Sequence, residues 1–147
     1  MLSNAIKEEI IYFHKILGTL ILTLIFMRLV WRFYNKNPYH KSLPVLHLLL
    51  SKIVQSVLYL LLIIIPIQGM LVTWAGGSDV IFLGLYKLPR LVEEDFIMYD
   101  IYVNSHFLMT LVLIIFFCFH LLGAFYHRFY VSDVYGVWKS MSLTSKK

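Results

Sequence analysis

Three stretches of this chain are apolar for about the length of a membrane-spanning helix. A hydrocarbon core of about 30 Å takes roughly 20 helical residues to cross. The runs from Ile10 to Trp31, from Val54 to Trp74 and from His106 to Tyr126 each approach that length. Charge is correspondingly scarce, at 14% of residues, where a soluble domain carries roughly 25%. The expected fold is all-α: an integral membrane helical bundle of three transmembrane helices forming one domain over residues 1–147. The spans are expected at about 10–31, 48–73 and 106–126, with an outer loop at 75–105 and a cytoplasmic tail at 127–147. The second span starts softly near Leu46, carries Lys52 and Gln55 near its start, and holds Pro66, which a membrane helix tolerates. Glu8 and Glu9 lie ahead of the first run, which is too long for the h-region of a cleaved leader, so that span is expected to stay in the protein.

Several classes are excluded. The single cysteine, Cys118, lies inside the third run, so the chain has no internal disulfide and no CxxC metal or redox motif. The net charge of +5 does not read as a nucleic-acid surface, because the basic residues flank apolar runs and are not interleaved with exposed aromatics. It reads as topology. Lys and Arg are retained in short cytoplasmic flanks. Arg32, Lys36, Lys41 and Lys52 join the first two spans without an acid, and Arg128, Lys139, Lys146 and Lys147 follow the third against Asp133 alone. Both segments are expected in the cytoplasm, which places the protein in the cell inner membrane with its N-terminus outside. The loop between spans two and three holds Lys87 and Arg90 against Asp79, Glu93, Glu94, Asp95 and Asp100, as an outer loop would. Its Phe82, Leu85, Tyr86, Leu91, Phe96 and Tyr102 suggest a folded cap at the interface, opened by a Gly76–Gly77 turn and interrupted at Pro89.

The histidines carry the chemistry. A histidine inside a membrane is costly and usually functional. His14 lies about one turn inside the first span and His106 opens the third from the same surface, so the two should sit at similar depth. His120 follows His106 by 14 residues, which at 100° per residue returns it to nearly the same face, about 21 Å along the axis. His127 continues the stripe seven residues on. Such a step suits a bundle holding two haems stacked across the bilayer, each iron taking imidazoles from facing helices. Gly18, four positions after His14, and Gly123, three after His120, leave room beside a ligand helix. Arg28, 14 residues after His14, is placed to pair a haem propionate. Blander roles stand beside these. Any single intramembrane histidine can bond across helices or relay protons. His40 and His47, flanking Pro44, suit the interface, as does His127 beside Arg128; Gly18 and Gly123 suit helix packing, and Arg28 and Arg32 suit snorkelling anchors.

These residues resemble the prokaryotic cytochrome b561 family of membrane dihaem cytochromes. FHKILGTLILTLIFMRLVWRFYN, from Phe13 to Asn35, is similar to that family's second helix, with a histidine, a small residue and two arginines in order. LYLLLIIIPIQGMLV, from Leu58 to Val72, is similar to its third helix with the IP..G pattern. The stretch from His106 through HLLGAFYHRFYVSD is similar to its fourth. The resemblance implies that His14, His106 and His120 are haem ligands. The family's first helix, which carries the remaining ligand, has no counterpart among the 13 residues before His14, and Gln55 stands where the family often has a histidine. The implied cofactor is haem b, one or two per chain. The implied activity is one-electron transfer as an electron carrier or oxidoreductase, with quinone or a respiratory electron donor as partner. No acid, base or nucleophile constellation suggests other catalysis. Within the lipid bilayer, a separate helix or a homo-oligomer would complete the bundle. The alternative is a degenerate or non-redox membrane subunit needing a partner helix.

Overall fold

The computed structural model describes residues 3–35 and 45–129, less the side chains of His127 and Arg128. His40, those two side chains and the tail from residue 130 onward lie outside the described residues. Within them the chain runs α1 (Asn4–Tyr34), α2 (Val45–Ala75), β1 (Ile81–Phe82), β2 (Tyr86–Lys87) and α3 (Phe96–Phe129). All three helices are long and apolar enough to cross a bilayer. Their apolar residues mostly face outward, and in the most apolar window of α3 none is buried. A soluble monomer rarely exposes apolar patches beyond a few hundred Å², so this surface is the lipid-facing side of a membrane bundle.

The helices outrun the apolar stretches because local capping sets their ends. Ser3 Oγ accepts from Ile6 N–H, and Asn35 closes α1 with its backbone N–H on the Trp31 carbonyl at 2.9 Å. Helix α2 continues through Pro66. It ends in a Schellman arrangement, with Gly77 N–H donating to the Trp74 carbonyl and Ser78 N–H to the Thr73 carbonyl. Gly77 has φ +74°, a left-handed conformation that strains any L side chain, and a Cβ there would also stand 2.7 Å from a Glu94 carboxylate oxygen, which would have to swing away. Asp95 N–H then donates to the Ala75 carbonyl at 3.0 Å, and its Oδ1 accepts from Ile97 and Met98 N–H. Asp95 is thus the N-cap of α3. The helix starts ten residues ahead of the apolar run opened by His106, and residues 96–105 are helix where the sequence suggested loop. Helicity needs a cap and a tertiary support, not hydrocarbon.

The remaining connection is a small antiparallel hairpin pairing Ile81 with Lys87 and Phe82 with Tyr86. Its turn places Leu83 and Gly84 at φ 52° and 73°. Two devices hold it. Thr19 Oγ1 on α1 accepts from Leu83 N–H at 3.0 Å while donating to the Ile16 carbonyl. Asp79 pairs with Lys87 at 2.6 Å and with Arg90 at 3.3 Å, and Arg90 also donates to the Gly77 carbonyl. The Lys87 ammonium first, and Arg90 second, hold the Asp79 carboxyl below the usual carboxylate range.

Helices α2 and α3 make the largest helix contact, and α1 meets α2 over a shorter stretch; Thr19, Leu22 and Ile25 are the buried residues of α1. Both α1 and α3 lean on α2 more than on each other.

Candidate functional site

Two of the three singled-out histidines meet near the hairpin end of the bundle. His14 on α1 and His106 on α3 have ring centroids 6.0 Å apart and planes 84° apart. One metal ion between two imidazoles gives nitrogens about 4 Å apart and ring centres about 6 Å apart, with each metal–nitrogen bond about 2 Å. The ring separation is of the length that one metal held by both imidazoles requires. His14 is exposed, whereas His106 is half-buried against Gly69 of α2.

Helix α2 sets the His106 ring. The Cε1 and Nδ1 atoms lie 3.4 and 3.8 Å from where a Cβ on Gly69 would stand, so the glycine lets the ring lie against the backbone. Nδ1 is buried and makes no well-formed hydrogen bond. One residue back on each helix, Gln68 Nε2 donates to Ser105 Oγ at 3.2 Å, and Ser105 donates on to the Tyr102 carbonyl. Neither Gln68 nor Ser105 is marked out by the sequence pattern alone. The available signal was a polar side chain deep in an apolar run, which in hydrocarbon needs a partner.

His120 is half-buried further along α3 and is not brought to the His14–His106 pair. Among the described residues no three His, Cys, Asp or Glu side chains converge to hold a metal ion. A haem asks less of the protein, since the porphyrin supplies four nitrogens and the chain only axial ligands. The space beside the helices suits one. A Cβ added at Gly18 or at Gly123 would meet nothing within 4 Å. The paired rings and the open flank at Gly18 together fit a haem held by His14 and His106.

The basic end of the bundle is organised differently. Arg28 Nε donates to Tyr59 Oη at 3.2 Å, and the Arg32 guanidinium lies 5.1 Å over the same ring. The structure therefore gives both arginines a protein partner on α2. A cavity of about 230 Å³ opens between α1 and the hairpin, lined by Glu8, Lys15, Asp79 and apolar neighbours. Neither His14 nor His106 lines it.

A family model for prokaryotic cytochrome b561 matches residues 2–141. No curated protein and no solved structure matches the chain.

Proposed function

The chain belongs to the prokaryotic cytochrome b561 family, and from that premise we propose that it is a haem b membrane cytochrome in which His14 and His106 would hold one haem. The observation that carries this reading is the 6.0 Å approach of the two imidazoles from different helices. Bound there, haem would supply one-electron redox chemistry. The chain's part is to hold the two imidazoles neutral and opposed, to leave room at Gly18, and to keep water away with the apolar faces of α1 and α3. His120 is the ligand of a second site near the basic end, completed by a helix from a separate chain or a second copy. The electron partners are quinone in the bilayer and a respiratory donor. The hairpin end and N-terminus face outward, and the basic end with the tail faces the cytoplasm of a cell inner membrane, following the charge asymmetry.

Absorption spectroscopy of the detergent-purified chain tests this. A Soret band and a sharp reduced α band are expected, and His14→Ala or His106→Ala should remove that haem. Haem content unchanged in both variants would refute the assignment. His120 alone gives a single bond, so any haem there in the isolated chain should be high-spin and bind carbon monoxide. Two low-spin, carbon-monoxide-resistant haems per isolated chain would overturn the partner-completed site.

A further inference from the structure

Two complementary polar atoms lie unpaired on neighbouring residues of the α2–α3 contact. Gln68 Oε1 and His106 Nδ1 are both buried and make no well-formed hydrogen bond, and the Ile65 carbonyl of α2 also lies beside the His106 ring. They belong to adjacent rungs of one ladder, in which Gln68 reaches Ser105 across the interface while His106 reaches back to Gly69. The Gln68 amide is clamped through its nitrogen, which leaves its oxygen, an acceptor only, without a donor. The Nδ1 edge of His106 faces α2, which leaves Nε2 as the nitrogen for a metal. Once Nε2 is metal-bound, Nδ1 must carry the proton and becomes a donor. Metal-bound histidines hand that second N–H to a carboxylate, a carbonyl or water. Two groups of α2 are candidates for that acceptor, the Ile65 backbone carbonyl and the Gln68 amide oxygen.

We propose that Gln68 is a positioning residue for His106: its Oε1 accepts the Nδ1–H of the metal-bound ring, fixing the tautomer and plane and raising the donor strength of Nε2. This rests on the reading of His106 as a haem ligand. Ser105 is part of the device, because its hydroxyl holds the amide nitrogen and so directs the oxygen. A stronger imidazole donor favours ferric iron, so removing the acceptor shifts the equilibrium toward the reduced form.

The test is a potentiometric titration of the haem-loaded full chain, followed in the reduced α band, with electron paramagnetic resonance of the ferric form. Gln68→Leu should keep its haem and shift the reduction equilibrium toward the ferrous form about tenfold, which is about 59 mV for one electron, with altered ferric g values. Gln68→Glu, which keeps a carbonyl acceptor, should stay near the parent or move the opposite way. A Gln68→Leu protein with unchanged potential and g values overturns the proposal while the haem reading stands, and would point to the Ile65 carbonyl beside the same ring. A parent chain without haem, or His106→Ala with full haem, overturns the reading and the proposal together. Should Gln68→Leu fail to fold, Ser105→Ala decides: a smaller shift in the same direction supports the device, and no shift refutes it.

Discussion

The hairpin's hold on α1 can be broken at one atom. Thr19 is 4% exposed, and its Oγ1 both donates to the Ile16 carbonyl and accepts from Leu83 N–H. Thr19→Val keeps the side-chain shape and removes both bonds. Losing the first matters little, because the Ile16 carbonyl lies inside a helix and such back-bonding is close to neutral. Losing the second strands a part-buried N–H, at a cost of about 1–3 kcal/mol. Leu83 is only half-buried, which places the expected value in the lower part, about 1–2 kcal/mol. Leu83 is also a non-glycine residue at φ 52°, a conformation held only while its surroundings insist on it. The hydroxyl is one of the contacts that insist. A destabilisation of this size is roughly a 5- to 30-fold rise in the open fraction. Amide hydrogen exchange in detergent micelles reads it directly: Leu83 and Leu85 should exchange faster by that factor in Thr19→Val, while the middle of α2 is unchanged, and Thr19→Ser should restore protection. Thr19 lies just over one turn from His14 on the same helix, so loosening here also frees the segment that presents that imidazole. Protection at Leu83 equal within twofold in parent and Thr19→Val would refute the reasoning.

Three further outcomes are expected. The carboxylate of Asp79 is held below its ordinary range in the folded chain, so its brace on the hairpin is complete above the unfolded value of about 3.9 and is lost as the pH falls through the lower folded value; hairpin exchange should accelerate there in the parent but be independent of acid in Asp79→Asn. Gly77→Ala forces a side chain into left-handed backbone against Glu94 and should destabilise the α2 terminus by at least about 1 kcal/mol, seen as a lower thermal midpoint in detergent; an unchanged midpoint would show that the turn can rearrange freely. A reporter enzyme active only outside the membrane should work when fused near Asp95 and fail when fused after Lys147, and the reverse pattern would invert the proposed orientation.

The three helices were legible in the sequence because a membrane span is written in residues that are contiguous. Their ends were not, because an end is decided by one polar side chain whose neighbours in sequence look alike. Glu93, Glu94 and Asp95 read together as a mark of the outer side. The structure separates them: Asp95 caps α3, and Glu94 covers Gly77. The hairpin was still less accessible, since its strands are two residues each and its turn puts a leucine as well as Gly84 at positive φ. What fixes it is Thr19, 64 residues away on another helix.

The same distinction runs through the site. His14 and His106 could be matched from sequence because depth in a bilayer is a one-dimensional coordinate, read by counting from the ends of two apolar runs. The structure adds the rotation about each helix axis, and with it the 6.0 Å approach. The Gln68–Ser105 rung depends on the register of α2 against α3, and neither run's periodicity encodes that register. Register here is set by small and polar contacts, such as Gly69 under the His106 ring, because lipid is as apolar as leucine and rewards no particular apolar face. In this bundle the residues that align the helices and those that hold the imidazole are therefore the same ones. A substitution that shifts the register of α2 against α3 should change His106 before it changes the fold.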